Sequence, residues 1–229
     1  MDVLTQNKPI SIAIDGPSAA GKSTLARAIA EKYGFLYVDT GAIYRTVGLA
    51  VQNAEIEPQD TAAVVALLPS VKIDMVYADV QRMFLNGADV TQEIRTPKSS
   101  LYASDVSKIP EVRAFLMDMQ RDLARRRDVV MDGRDIGTVV LPDADVKIFL
   151  TASAEVRARR RCLELKEKGM EADFDTVLHD IVYRDRQDME RAAAPLKAAE
   201  DAVLLDNSEM DFLETVAAAC QTIYLKTGR

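Results

Sequence analysis

The sequence predicts an α/β fold in which a central parallel sheet is covered by helices on both faces. Short apolar runs, typical of strands buried on both sides, alternate along the chain with longer amphipathic stretches that are typical of helices. Strands and helices that alternate in this way build a parallel sheet. The chain has 229 residues and 48% hydrophobic content, which is enough to bury a sizeable core in one domain.

Five strands and five helices make up this alternation. The apolar runs predict strands at residues 10–14, 35–38, 129–131, 146–150 and 203–205. The amphipathic stretches predict helices at residues 22–33, 41–53, 111–127, 154–168 and 209–225. Gly34 and Gly169 follow two of these helices, where glycine favours a helix end.

Two segments depart from the alternation. "VKIDMVYADVQRMFLNGADV", residues 71–90, is rich in β-branched and aromatic residues, and its Asn86-Gly87 pair is a strong hairpin signal. It predicts a small antiparallel insert at about residues 70–100. The second segment, residues 157–191, is rich in charge and poor in β-branched residues. It predicts exposed helices.

Composition limits the kind of protein. No apolar run approaches the roughly 18 residues that cross a bilayer, and the first residues lack the pattern of a secretion signal. Cys162 and Cys220 lack metal-binding spacing and indicate reduced thiols. We therefore expect a cytoplasmic protein with no membrane partner. A net charge of −7 argues against binding a nucleic-acid polymer and favours a small substrate.

The strongest motif is "GPSAAGKS", residues 16–23, which follows a predicted strand and opens a predicted helix. This is the context of a phosphate-binding loop, whose backbone N–H groups point at the phosphates of a bound nucleotide. Lys22, at an exposed helix start, is expected to reach the β and γ phosphates, and Ser23 to offer its hydroxyl to Mg²⁺. The predicted ATP-binding residues are Gly16, Pro17, Ser18, Ala19, Ala20, Gly21, Lys22, Ser23 and Thr24.

The class of nucleotide-binding protein follows by exclusion. A GTPase would normally show an Asn-Lys-x-Asp motif that reads guanine, whereas the Asn-Lys pair here, Asn7-Lys8, precedes the first strand. A large motor or transporter would need additional coupling elements and a longer chain. A small kinase remains, and it needs a pocket for the acceptor. "YVDTGAIYRT" ends a strand and opens a helix, which puts Thr40 and Arg45 at the carboxyl end of the sheet. They either recognise the acceptor, or Thr40 caps the helix and Arg45 is solvated.

Four segments together resemble the bacterial cytidylate kinase family: "IDGPSAAGKST", "VDTGAIYR", "DGRDIGTVVLPDADVKIFL" and "RDRQDMERAAAPLKAAEDAVLLD". The resemblance implies a P-loop kinase that transfers a phosphoryl group from ATP to CMP or dCMP in pyrimidine nucleotide metabolism. It also implies a single domain over residues 1–229, with an acceptor-binding insert at about 70–100 and a mobile arginine-rich lid at about 155–190. We expect a monomer.

The resemblance also implies roles for individual residues. Arg45 and Arg134 would grip the acceptor phosphate, to which a planar guanidinium is well suited. Asp132 resembles a Walker B acid and would hold Mg²⁺ together with Ser23. The remaining acceptor contacts lie towards the sugar and cytosine and are Ser104, Arg113, Arg184, Asp188 and Arg191.

Several assignments stay open. Asp135 either accepts a hydrogen bond from the cytosine amino group, which would disfavour UMP, or pairs with a neighbouring arginine. In "RARRRC", residues three or four apart share a helix face, so Arg157 with Arg160 or Arg161 forms the expected lid pair. One of these would stabilise the transition state.

Two positions depart from the family pattern. Thr40 stands where many relatives have serine, and Ala19 replaces a common glycine, which matters only if that position needs a positive φ.

Two alternative functions stay open. One is a kinase for another monophosphate such as UMP. The other is a nonenzymatic ATP-binding switch.

Overall fold

A computed structural model of the protein describes residues 8–77, 81–167 and 169–229. Within these ranges the strands are β1 Ser11–Asp15, β2 Leu36–Asp39, β3 Ile73–Tyr77, β4 Gln81–Leu85, β5 Ala88–Asp89, β6 Val129–Gly133, β7 Val146–Thr151 and β8 Val203–Asp206. The α-helices are α1 Lys22–Tyr33, α2 Thr40–Asn53, α3 Thr61–Leu67, α4 Pro97–Val106, α5 Pro110–Arg126, α6 Ala154–Glu167, α7 Phe174–Glu190 and α8 Phe212–Thr227. Single short turns of other helix types lie at Leu68–Ser70, Glu93–Arg95 and Ile136–Val140.

The central sheet has five strands in the order β2-β6-β1-β7-β8, and all of its described pairings are parallel. Apolar side chains cover both faces: α1 and α8 pack on one side, and α2, α4 and α5 lie with the insert on the other. The predicted parallel sheet with helices on both faces is therefore confirmed. Strand β1 is buried along its whole length and β6 at every residue but its last, which is why their apolar runs do not alternate with exposed polar residues.

Most predicted element bounds hold to within a few residues. Gly34 ends α1 in the left-handed conformation at φ 69°, as predicted. The last helix begins at Phe212 rather than at 209, because Asp211 and Glu214 form a reciprocal capping box there. The predicted end of α6 at Lys168 lies outside the described residues. No described helix combines the length and the apolar character needed to span a membrane.

The insert is an antiparallel sheet of β3, β4 and β5, as predicted. Asn86 and Gly87 form the turn between β4 and β5 with positive φ values of 51° and 86°, the geometry that this pair favours. Residues 78–80 of the quoted segment lie outside the described residues. A buried amide joins the insert to the core, because Gln81 accepts a hydrogen bond from the backbone N–H of Asp39 at 2.8 Å.

Two helices have no counterpart among the predicted elements, α3 and α4. Helix α4 starts at Pro97 behind Thr96, whose side chain caps it. It packs closely on α2 at Gly48, where a Cβ atom would come within 2.9 Å of the Ala103 nitrogen. The close approach of two helix backbones explains why a small residue stands there.

Helices α6 and α7 pack against each other in the arginine-rich region. The prediction that this region is exposed is wrong in part, because Arg157, Ile181 and Asp185 are buried. These three side chains face inward, whereas Leu163 and Tyr183 on the same helices are exposed. A high charge content thus concealed a buried face.

Candidate active site

Three aspartates lie at or next to the carboxyl ends of three adjacent strands of the sheet. Asp15 ends β1, Asp39 ends β2, and Asp132 is the next-to-last residue of β6. The strand register puts Asp132 beside both Asp39 and Ile14. Open α/β sheets bind ligands at this edge, so the site is built around these carboxylates.

The phosphate loop crosses this edge between β1 and α1. Gly16 has φ 150°, and a Cβ atom there would lie 1.9 Å from the carbonyl oxygen of Leu150, so only glycine fits. Lys22 is buried, contrary to the prediction of an exposed helix start, and its Nζ donates to the carbonyl oxygen of Pro17 at 2.7 Å. Burial and then the charge of Arg134 lower the pKa of Lys22. A bound phosphate would oppose this decrease in pKa, because a nearby negative charge favours the protonated amine.

Ala19 lies at a position of the loop with φ 59°. The departure from glycine therefore matters, because a residue with a Cβ atom pays roughly 1–2 kcal/mol in the left-handed region. The loop keeps this strained conformation at the place where its N–H groups would face phosphate.

A carboxylate and a hydroxyl at the end of the loop fit a magnesium ion. The Ser23 hydroxyl donates to Oδ2 of Asp132 at 2.8 Å, and the Tyr37 hydroxyl donates to Oδ1 at 2.9 Å. Burial and then the Asp39 carboxylate raise the pKa of Asp132. A cation bound beside Asp132 would therefore stabilise its ionised carboxylate. The described residues hold no cluster of three His, Cys, Asp or Glu side chains suited to a metal. The pair suits Mg²⁺, which takes one or two protein oxygens and completes its shell with phosphates and water.

Asp39 organises two arginines beside Asp132. Its carboxylate caps α2 through the N–H of Ala42 at 2.8 Å and pairs with Arg45 at 3.0 Å and Arg95 at 3.2 Å. The Nε of Arg45 is buried and has no hydrogen-bond partner among the described residues. A buried donor without an acceptor is what an anion site leaves open before its ligand binds.

The alternative reading of this segment is wrong in both parts. The helix cap is Asp39, and the Thr40 hydroxyl instead donates to the backbone carbonyl of Asp132 at 2.7 Å. Arg45 is not solvated, because Asp39 holds it. Sequence reasoning missed Arg95 because it lies in the insert, far along the chain from Asp39, and "EIRT" contains no recognisable motif.

Asp135 lies between two arginines, as one of its two readings predicts. It pairs with Arg113 and, at 3.3 Å, with Arg191, and all three side chains are at least 93% buried. Burial raises the pKa of Asp135, and the two arginines oppose that effect. The Arg113 guanidinium also lies 5.7 Å from the centre of the Tyr44 ring. A contact of Asp135 with cytosine stays a prediction, because a carboxylate accepts more hydrogen bonds than these two.

Three further predicted acceptor residues lie on or opposite α7. Arg134 pairs with Asp188 of α7 at 2.6 Å. Burial is the largest single influence and lowers the pKa of Arg134, but the nearby carboxylates, Asp188 first among them, together raise it. Burial and then the charge of Arg134 lower the pKa of Arg184, which shows that the positive charges of these two arginines lie close together.

Ser104, a further predicted acceptor residue, is half-buried on α4, far in sequence from α7.

The arginines of the run have different partners. Arg157 donates to the carbonyl oxygen of Ser18 at 3.0 Å and pairs with Asp185 at 2.6 Å. Arg160 donates to Asn207 at 3.0 and 2.8 Å. Arg161 pairs with Glu164 on its own helix. The structure thus brings Arg157 to the phosphate loop.

Asp15 is a further site residue that sequence reasoning missed. Its two carboxylate oxygens accept the backbone N–H groups of Ile136 and Gly137 at 2.8 and 2.7 Å. It therefore ties the end of β1, where the phosphate loop begins, to the segment that carries Arg134 and Asp135. The aspartate of "IDGPS" was visible as a polar residue after an apolar run, but its partners lie more than 120 residues away.

Comparisons with known proteins identify the family. A model of the cytidylate kinase family matches residues 12–225. The chain belongs to the cytidylate kinase family. The cytidylate kinase of Caldicellulosiruptor saccharolyticus is 49% identical over 222 residues, covering 96% of this chain and 98% of the relative. That of Lactobacillus johnsonii is 43% identical over 221 residues, covering 96% of each.

Structural comparison agrees at the level of the fold. A crystal structure of an uncharacterized protein from Eubacterium ventriosum superposes with a TM-score of 0.53 at 14% identity, covering 97% of this chain and 100% of the other. The predicted membership of the cytidylate kinase family and the predicted P-loop kinase fold are confirmed.

Proposed function

We propose that this member of the cytidylate kinase family transfers the γ-phosphoryl group of ATP to CMP or dCMP, giving ADP and CDP or dCDP. One observation carries the proposal beyond family membership. Asp132 contacts the end of the phosphate loop through its carboxylate, 2.8 Å from Ser23, and helix α2, which carries Arg45, through its carbonyl oxygen, 2.7 Å from Thr40. This supports the proposal, because the two substrate sites would then meet at one residue, as direct transfer between two phosphates requires.

The donor half uses the phosphate loop, residues 16–24. Backbone N–H groups at the start of α1 would bind the ATP phosphates, and Lys22 would leave the Pro17 carbonyl to reach the β and γ oxygens. Ser23 and Asp132 would hold Mg²⁺, which supplies charge neutralisation on the triphosphate when bound.

The acceptor half uses the arginines at the carboxyl edge. Arg45, Arg95 and Arg134 would bind the CMP phosphate, and the open Nε donor of Arg45 supports this assignment. The remaining polar residues of the pocket would bind the cytosine and the sugar: Ser104, Arg113, Asp135, Arg184, Asp188 and Arg191. Ion pairs with Asp39, Asp135 and Asp188 hold most of these guanidinium groups in place before substrate arrives.

Positioning and charge stabilisation account for the chemistry. An oxygen of the CMP phosphate attacks the γ-phosphorus in line, and no general base is needed, since a phosphate monoester is largely ionised at neutral pH with a second pKa of about 6. Arg157 and Arg160 would stabilise charge on the moving phosphoryl group. Closure of α6 and α7 would exclude water and limit hydrolysis of ATP.

The proposal includes the organisation of the chain. A single domain would consist of the parallel-sheet core, the acceptor-binding insert at about 70–100 and the lid at about 155–190, working as a monomer. Cys162 and Cys220 form no disulfide, which supports a reducing, cytoplasmic compartment.

A coupled ADP-release assay with CMP, dCMP, UMP, AMP and GMP tests this function. We expect the cytidine nucleotides to be preferred, and Lys22→Met to abolish transfer while the circular dichroism spectrum is unchanged. Lys72→Met, at an exposed position of the insert, provides the control. Equal use of UMP would assign a broader monophosphate kinase, and ATP binding without ADP release would indicate a switch. Near-normal activity of Lys22→Met would contradict the loop assignment.

A further inference from the structure

The Tyr37 hydroxyl lies in the site but has no part in the proposed reaction. Tyr37 belongs to β2, and its O–H donates to Oδ1 of Asp132 at 2.9 Å. The Ser23 hydroxyl donates to the other carboxylate oxygen, Oδ2, at 2.8 Å. Each oxygen of Asp132 therefore has its own donor, and the two donors come from different elements.

The two donors differ in what they can do next. The Ser23 hydroxyl can rotate and present a lone pair to a cation, as the serine of a phosphate loop does. The Tyr37 hydroxyl keeps its proton at neutral pH, and its ring is fixed by packing against the core and lies 5.5 Å from the Arg27 guanidinium. Tyr37 is thus the rigid partner of the carboxylate and Ser23 the adaptable one.

We infer that Tyr37 is a positioning residue for the metal: it holds Oδ1 of Asp132 so that Oδ2 faces Ser23 and the Mg²⁺ of ATP. Tyr37 acts through Asp132 and does not touch the metal or either substrate. Without the Tyr37 hydroxyl, Oδ1 is a buried acceptor that has lost its donor, and the carboxylate is free to turn. Loss of such an outer partner weakens metal binding by roughly 10- to 100-fold.

The inference rests on the proposed function, because it assumes that Asp132 holds the metal. Tyr37→Phe removes only the hydroxyl and keeps the ring. The matched control is Tyr77→Phe, since Tyr77 is a partly buried tyrosine of β3 whose hydroxyl lies 3.4 Å from the sulfur of Met75. Asp132→Asn reports on the metal site itself.

Binding of Mn²⁺ to the complex with a nonhydrolysable ATP analogue, followed by electron paramagnetic resonance, gives a readout independent of turnover. We expect Tyr37→Phe to raise the Mn²⁺ dissociation constant roughly 10-fold and Tyr77→Phe to leave it unchanged. The Mg²⁺ concentration for half-maximal activity should rise alike with CMP and dCMP, while KM for CMP stays the same. Adding Tyr37→Phe to Asp132→Asn should have no further effect.

The failures are distinguishable. If Asp132→Asn binds Mn²⁺ as tightly as the wild type, the metal assignment of the proposed function is wrong. If Asp132→Asn weakens binding and Tyr37→Phe does not, the inference about Tyr37 alone is overturned. A loss of ATP-analogue affinity in EDTA for Tyr37→Phe, equal to its loss with metal, would also overturn it, because the hydroxyl would then support the nucleotide site in general.

Discussion

The buried carboxylate of Asp15 makes the stability of the protein depend on pH in a defined direction. Burial raises the pKa of Asp15 from 3.8 to about 6, although the N–H groups of Gly137 and Ile136 oppose the rise. Asp135 adds a smaller increase and Lys22 a smaller decrease. The folded state therefore holds a proton on Asp15 at pH values where the unfolded chain has lost it.

The shift in the pKa of Asp15 sets the sign and the size of the change in the free energy of unfolding with pH. Because the folded pKa exceeds the unfolded one, the stabilisation is fully present below about pH 3.8 and is lost as the pH rises through about 6. The full shift of roughly two pKa units corresponds to about 3 kcal/mol. Between pH 8 and pH 5, integration gives a gain of about 1.4 kcal/mol in the free energy of unfolding from this group.

Urea unfolding of the wild type and Asp15→Asn at pH 5 and pH 8 isolates the effect. The variant cannot ionise, so the other titrating groups cancel in the difference between the two proteins. We expect the difference in free energy of unfolding to shift by about 1.4 kcal/mol in favour of the wild type at pH 5. Asp143→Asn, at an exposed position, controls for the change in net charge. A difference that stays constant with pH, or shifts the other way, would refute the reasoning.

Three further predictions test the acceptor site and the lid. Arg95→Met should raise KM for CMP roughly 10-fold and leave KM for ATP unchanged. This loss of binding is at the low end for a hydrogen bond from a charged group, because the Arg95 side chain is 44% exposed. Arg82→Met, on the same insert, is the control, and an equal effect of the two variants would show that Arg95 does not belong to the site. Asp135→Asn should lower kcat/KM for CMP by roughly 10- to 100-fold and for UMP much less, whereas equal losses would end its role in base selection. Hydrogen exchange in α6 and α7 should slow when an ATP analogue and CMP bind together, and unchanged exchange would exclude a lid there.

Features set by local sequence were predictable. The phosphate loop, the alternation of strands and helices and the Asn86-Gly87 turn each depend on a few consecutive residues, so a single sequence reveals them. The cap of α2 shows the limit of such reasoning. Asp39 and Thr40 are both good capping residues, and the choice between them depends on Asp132, whose carbonyl oxygen binds the Thr40 hydroxyl.

Features set by strand register were not predictable. Tyr37 meets Asp132 only because β2 pairs with β6 in a register that brings Asp39 beside Asp132. Likewise, Arg95 meets Asp39 only through the packing of the insert on α2. The burial of Lys22 also depends on distant residues, since Arg134 and Asp132 lie beside its ammonium group. These contacts join parts of the chain that no local pattern connects.

The acidic strand ends explain how a protein of net charge −7 can offer a cationic site. A buried guanidinium without a counterion would be costly, so the proposed acceptor arginines Arg45 and Arg95 need a carboxylate nearby. Asp39 contacts one nitrogen of Arg45 and one of Arg95, so this carboxylate does not occupy the other N–H groups of the two guanidiniums. A bound phosphate can therefore add to the existing ion pairs without breaking them. The aspartates thus orient these arginines, and in the proposed function the CMP phosphate would supply the acceptor that the buried Nε of Arg45 lacks among the described residues.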